Sequence, residues 1–262
     1  CAVHTNDKTY CRGDNRLGKL GVGDASDKTN LTEVDTSFVG KANSFDYYHV
    51  GIENSCGKHT DGTFLCSGNI ENGLIGTGDI DRSESWVEVD MSAHAESNDF
   101  KAVNMSTDTT CAIHDNGKTF CWGFGNYNSI GNGSSSDQST PIEIDMSAHA
   151  DDNDFSKISL FRYSSYGIHT ASKKLYAWGN DSSSALGTNG GGSSNTPVEV
   201  DMSGVAEVNS FSDIAAGEQF ACAIQDPTTK LFCWGDNDSG QLGDGTTTER
   251  ATPVEVDMSV QG

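Results

Sequence analysis

Eight cysteines, a recurring histidine and a repeated Glu-x-Asp pair are the residues here whose types and spacing could do chemistry. The cysteines fall as Cys1/Cys11, Cys56/Cys66, Cys111/Cys121 and Cys222/Cys233, with nine or ten residues between partners. Zinc sites need spacers of about two to four residues and converging pairs, so disulfides are the better reading. Setting Cys111 opposite Cys121 closes a hairpin through Asp115-Asn116-Gly117, with glycine last, where a left-handed residue is needed. Thr60-Asp61-Gly62 does the same between Cys56 and Cys66, and the loop holding Pro227 is one residue longer, matching the longer Cys222/Cys233 spacing. Where a further pair is due, Tyr166 and Ala177 replace both cysteines together, as expected of bonded partners. Each bridge closes a short loop and contributes about 2–3 kcal/mol.

His4, His59, His114 and His169 recur at the base of these hairpins. One histidine per hairpin with no second ligand nearby reads as a solvated turn rather than a metal site, and His94 and His149 read the same way. The pairs Glu33/Asp35, Glu88/Asp90, Glu143/Asp145, Glu199/Asp201 and Glu255/Asp257 could supply acid and base. Catalysis, however, needs one pair made different by its surroundings. Five equivalent pairs read as outward charges on edge strands that discourage edge-to-edge pairing. The second reading is weak uptake of a cation such as calcium by Glu88, Asp90, Glu143, Asp145, Glu199, Asp201, Glu255 and Asp257. Asp236-Asn237-Asp238-Ser239-Gly240 begins like a calcium loop but has Thr247 where the distal Glu is required, so it reads as a turn. No phosphate-cradling loop, nucleophile elbow or zinc-helix motif occurs; no cofactor and no catalytic residue are expected. Asn30, Asn104, Asn132, Asn180 and Asn237 each head an Asn-x-Ser/Thr glycosylation sequon, the last three in loops where a glycan is expected to be accessible.

What positions these residues is a repeat. Gly13, Gly68, Gly123, Gly179 and Gly235 lie 55, 55, 56 and 56 residues apart, and eight residues after each comes Gly21, Gly76, Gly131, Gly187 or Gly243. Phe45, Phe100, Phe155 and Phe211 mark the same period. The copies run approximately 1–44, 45–99, 100–154, 155–210 and 211–262, within a single repeat domain. In the fifth, four strands are expected at Phe211–Ala216, Phe220–Gln225, Lys230–Trp234 and Pro253–Asp257. The first copy lacks its opening strand. Asp90–Asp99 and Asp145–Asp154 are expected to form helical turns between copies. Repeats of about 50 residues with four strands each are propeller blades, so the fold class is all-β, a β-propeller of four-stranded blades. Trp234-Gly235-Asp236-Asn237-Asp238-Ser239-Gly240-Gln241-Leu242-Gly243-Asp244-Gly245, with Thr252-Pro253-Val254, resembles the regulator of chromosome condensation repeat. That resemblance implies a propeller, usually of seven blades; five copies leave a closed five-blade ring, part of a larger ring or an open array. It also implies loops on one face that bind partner proteins, and some bacterial relatives inhibit enzymes.

The chain has 262 residues and a formal net charge of −22. With no basic excess to follow a phosphate backbone, nucleic acid is not an expected partner. No apolar run approaches the roughly 20 residues of a membrane helix. The chain opens on Cys1 rather than Met and reads as mature or partial. Four disulfides point to an extracellular or cell-surface location, and the acidity suits salty surroundings. The leading expectation is a non-catalytic structural protein, a propeller unit self-associating into a fibre, coat or surface assembly through the open edge of its incomplete first blade. The alternative is a monomeric secreted propeller binding a protein or glycan through its loop face. Aromatics at Phe124-Gly125-Asn126-Tyr127 and Phe161-Arg162-Tyr163 suit such an interface. Nucleotide exchange on a nuclear GTPase conflicts with the disulfides. A lyase or glycosidase would need a copy-specific catalytic cluster, and none is legible.

Overall fold

The structure is a computed structural model describing residues 1–69, 71–78, 83–205 and 207–256; Asp257 of the last Glu-x-Asp pair lies outside them. Copy one forms a three-stranded sheet, β1 (Ala2–Val3), β2 (Thr9–Gly13) and β3 (Lys28–Glu33). The others form four-stranded antiparallel sheets with strands in sequence order. Copy two is β4 (Phe45–Val50), β5 (Asn54–His59), β6 (Phe64–Gly68) and β7 (Ser83–Glu88). Copy three is β8 (Phe100–Met105), β9 (Thr109–His114), β10 (Thr119–Gly123) and β11 (Gln138–Glu143). Copy four is β12 (Phe155–Phe161), β13 (Ser164–His169), β14 (Leu175–Gly179) and β15 (Ser194–Glu199). Copy five is β16 (Phe211–Ala216), β17 (Phe220–Gln225), β18 (Leu231–Gly235) and β19 (Arg250–Glu255). This is the β-propeller repeat expected. Two details differ. The fourth strand of copy five starts at Arg250 rather than Pro253, and the segments after Asp90 and Asp145 make isolated turns (His94 N–H to Met91 O and His149 N–H to Met146 O, both 2.9 Å) rather than helix.

The chain divides into two compact units. One holds residues 1–116, 120–124 and 137–142, with the sheets of copies one to three; the other holds 117–119, 125–136 and 143–262, with copies four and five. Within the second, Tyr166, Phe211, Phe232, Trp234 and Leu186 share one buried cluster. Within the first, Cys56, Cys66, Phe100, Phe120 and Trp122 share another. Large aromatic rings and disulfide sulphurs thus fill the space that aliphatic side chains fill elsewhere, which explains how a chain only 34% hydrophobic makes a core.

The indoles tie successive copies together. Trp122 Nε1–H donates to Leu74 O at 3.0 Å, Trp178 to Ser129 O at 2.9 Å and Trp234 to Ala185 O at 2.8 Å. Against each ring lies the glycine two residues past the accepting carbonyl. A Cβ on Gly76, Gly131 or Gly187 would sit 2.9, 2.8 or 2.7 Å from the indole, and φ at all three is positive, so only glycine fits. The Gly ending the third strand is fixed as firmly in copies two to five: at Gly235, φ +100, a Cβ would lie 2.4 Å from Gln219 O.

Copy two departs from this pattern. Ser67 stands where the third strand should carry Trp, and the indole comes instead from Trp86 on β7. Trp86 is 1% exposed and packs with Phe45 and Leu20, over Gly21. The carbonyl that a third-strand indole would reach, Lys19 O, is met by Ser67 Oγ at 3.4 Å. Trp86 Nε1–H has no acceptor among the described residues.

Candidate functional site

The structure joins Cys1–Cys11, Cys56–Cys66, Cys111–Cys121 and Cys222–Cys233, with Cα separations of 4.0 to 4.1 Å and no free cysteine. Cys56 faces Cys66 and Cys222 faces Cys233 across their strand pairs, the position that Tyr166 and Ala177 occupy in copy four.

His59, His114 and His169 are not solvated turn residues, contrary to expectation, whereas His4 is exposed. His59, His114 and His169 are 4–6% exposed. Each reaches back seventeen residues with Nε2: to Ala42 O at 2.8 Å, Ser97 O at 3.0 Å and Asp152 Oδ1 at 2.9 Å. On the other side, Nδ1 accepts the turn N–H of Asp61, Asn116 or Ser172, each at 3.1 Å. At His59, Nδ1 also lies 2.8 Å from Asp61 Oδ1. In copy five Gln225, 1% exposed, does the same work with an amide: its Nε2 donates to Val208 O at 3.1 Å. These rings are latches between a hairpin and the segment before it. His94 and His149 are half-buried, with Nε2 on Pro141 O and Pro197 O at 2.8 and 2.7 Å.

The Glu-x-Asp pairs divide their labour. Each Glu, on an edge strand, meets an ammonium: Glu33 with Lys8, Glu88 with Lys41, Glu143 with Lys118, Glu199 with Lys174 and Glu255 with Lys230, at 2.6 to 3.3 Å. Asp35, Asp90, Asp145 and Asp201 accept the N–H of the serine two residues on, and the hydroxyl and N–H of that serine (the hydroxyl foremost at Asp35, Asp90 and Asp145, the N–H at Asp201) hold their carboxyls below the usual range. Among the sequon asparagines, Asn237 is not accessible. It is fully buried, its Oδ1 accepting Leu242 N–H at 3.1 Å and its Nδ2 donating to Thr246 O and Thr248 O. Asn30 is exposed; Asn104, Asn132 and Asn180 are half-buried.

One region breaks the internal symmetry. Between first and second strands, copies two, three and five carry Gly51-Ile52-Glu53, Ser106-Thr107-Asp108 and Gly217-Glu218-Gln219; copy four carries Phe161-Arg162-Tyr163. Tyr127, in the loop after β10, is likewise unmatched: its equivalents are Leu17, Asn72, Ser183 and Ser239. In the second unit these residues meet. The Tyr127 and Tyr163 rings stack 3.8 Å apart at 31°, and the Arg162 guanidinium lies 5.1 Å from the Tyr163 ring centre. Arg162 Nη1 also pairs with Glu218 Oε1 at 2.6 Å. Together with Phe161, Asn180, Ser182 and Gln219 they line a cleft of about 220 Å³. Its floor includes Ala185, whose carbonyl accepts both Trp234 Nε1–H and Tyr166 Oη–H, so it is anchored in the core. Arg162 and Gln219 hold left-handed backbone, φ 48° and 62°, a cost of about 1 kcal/mol or more each. Phe161 and Tyr127 are each 38% exposed. The fold thus gathers here a group of residues that the other copies do not repeat. Sequence flagged Tyr127 and Phe161-Arg162-Tyr163 for an interface and Asn180 only as a sequon; it did not flag Glu218 and Gln219, ordinary loop residues that only folding brings to the same cleft.

The regulator of chromosome condensation (RCC1) repeat profile matches residues 174–224 and 230–261, and a second profile of the same repeat matches 211–241. Ultraviolet-B receptor UVR8 of Arabidopsis thaliana is 26% identical over 201 residues, covering 74% of this chain and 42% of that protein. Human E3 ubiquitin-protein ligase HERC2 is 24% identical over 277 residues, 100% of this chain and 5% of that protein. The chain thus spans less than half the length of these curated relatives. Human WBSCR16 superposes with a TM-score of 0.77 at 20% identity, covering 96% of this chain and 63% of its own. Yeast RCC1 (Prp20), solved bound to Kap60, superposes with a TM-score of 0.74 at 17% identity, covering 95% and 57%. At these identities the solved structures establish the fold alone.

Proposed function

The chain is a β-propeller built of repeats like those of the regulator of chromosome condensation family, and on that footing we propose that it is a secreted, non-catalytic binding propeller whose contact site is the cleft around Tyr127, Phe161 and Tyr163. The observation that carries this is the break in symmetry. Residues serving the fold recur in register, as the indoles, loop glycines and hairpin latches do. Partly exposed aromatics at Tyr127 in copy three and Phe161 in copy four, unmatched at the equivalent positions of the other copies and set beside a strained turn over a core-anchored floor, serve something else. Aromatic rings with an arginine are the composition of binding hot spots. Yeast RCC1 was solved with a protein partner, in keeping with a binding role. Secretion is supported by four disulfides in one short chain. A fibre or coat subunit, the leading expectation from sequence, would draw on the exposed edge strand β1; the break in symmetry favours the binding reading.

The test is binding of labelled protein to the surface of cells of its source. Phe161→Ala with Tyr127→Ala should lower labelling at least ~tenfold, since hot-spot truncations cost about 2 kcal/mol or more. Ile52→Ala, in the equivalent loop of copy two, should leave it unchanged. Equal labelling by all three proteins would overturn the proposal.

A further inference from the structure

The chemistry of the cleft names its ligand class, an inference resting on the binding reading above. At about 220 Å³ the cleft is smaller than the ~300 Å³ at which sites for drug-sized molecules begin, so it takes one ring rather than a chain. Its walls are of two kinds. Phe161 and Tyr127 present partly exposed aromatic rings, whose negative faces attract polarised C–H groups. Opposite in character, the amides of Asn180 and Gln219 have oxygens that accept Ser182 N–H and Ser183 Oγ–H, leaving their NH2 groups as donors, and Glu218 keeps Oε2 as an acceptor beside the Oε1 that pairs with Arg162.

Charge narrows the choice. Arg162 is engaged by Glu218 at 2.6 Å and lies over Tyr163, so no unopposed cation offers itself to an anion. The chain carries a net −22, which repels anionic ligands further. A cation, conversely, would find the face of Tyr163 taken by the Arg162 guanidinium and the lining carboxylate of Glu218 already paired with that same guanidinium. What remains is neutral, cyclic, apolar on one face and rich in hydroxyls around its edge. We propose that the cleft is a subsite for a single neutral pyranose at the end of a glycan.

Saturation-transfer NMR with the full chain tests this, using glucose, galactose, mannose and N-acetylglucosamine as separate probes. At least one should receive transfer on its ring protons, with a dissociation constant on the order of 1 mM. Phe161→Ala should weaken that binding about tenfold, Phe161→Tyr should retain it, and Ile52→Ala should leave it unchanged. No transfer to any of the four sugars from folded protein, or transfer indifferent to Phe161→Ala, would overturn the proposal. If the sugars fail while Phe161→Ala with Tyr127→Ala still abolishes cell labelling, the binding site stands and its occupant is not a sugar. If labelling is also indifferent, both readings fall.

Discussion

Copies four and five meet the same demand with different chemistry. In copy five Cys222 and Cys233 face each other across β17 and β18 and are covalently joined. In copy four the facing residues are Tyr166 and Ala177, and nothing links the strands beyond the ladder. Tyr166 instead turns its full side chain into the core, 0% exposed, and its hydroxyl donates to Ala185 O at 2.6 Å. A bridge acts chiefly on the unfolded chain by restricting it; a buried tyrosine acts on the folded one by packing and a hydrogen bond. The position must be filled and tied, and the repeat tolerates either means. Trp86 teaches the same on the first unit: the indole that Ser67 does not supply arrives from the neighbouring strand and covers Gly21.

The comparison breaks most visibly at Tyr166. Tyr166→Ala empties a ring-sized space and should cost about 3–5 kcal/mol, read as a fall in the urea midpoint; a loss under 1 kcal/mol would mean copy four needs no substitute for its bridge. Next, Cys222→Ala with Cys233→Ala should cost about 2–3 kcal/mol, and reductant should then have a smaller further effect on the variant than on the parent chain. Smaller still is a contrast between indoles. Trp122→Phe loses a buried hydrogen bond to Leu74 O and Trp86→Phe loses none, so the first should be the more destabilising by about 1 kcal/mol. The smallest effect concerns the loops after the third strands, held by Asp181 in copy four and by Asn237, Asp244 and Arg250 in copy five. The Thr246 hydroxyl and Arg250, against some desolvation, hold the Asp244 carboxyl down at about 2. Its contribution is present above the ordinary aspartate value near 4 and lost as pH falls through 2. Asp244→Asn should therefore melt below the parent at pH 7, the two converging towards pH 2.

Sequence made the scaffold legible because repetition multiplies every signal. Five registers of Gly and four of Phe pointed together to the repeat and its four-stranded antiparallel sheets, and the paired loss at Tyr166 and Ala177 marked two positions that face each other across β13 and β14. It misjudged single residues whose partners lie far along the chain. His59, His114 and His169 sit beside hairpin turns yet are buried, because the groups they bond lie seventeen residues earlier. Asn237 looked like a loop sequon and is the buried hub of its loop. The cleft was half legible: aromatics unmatched in the other copies stand out in a repeat, whereas Glu218 and Gln219 look like any polar turn until the fold sets them beside Phe161.

The most direct test of that asymmetry is photo-crosslinking from the cell surface of the source. A benzophenone amino acid in place of Phe161 should yield a crosslinked adduct, and the same group in place of Ile52 or Thr107 should yield none. Equal adducts from all three positions, or adducts from Ile52 and Thr107 alone, would show that the copy-four cleft is not where this propeller makes its contact.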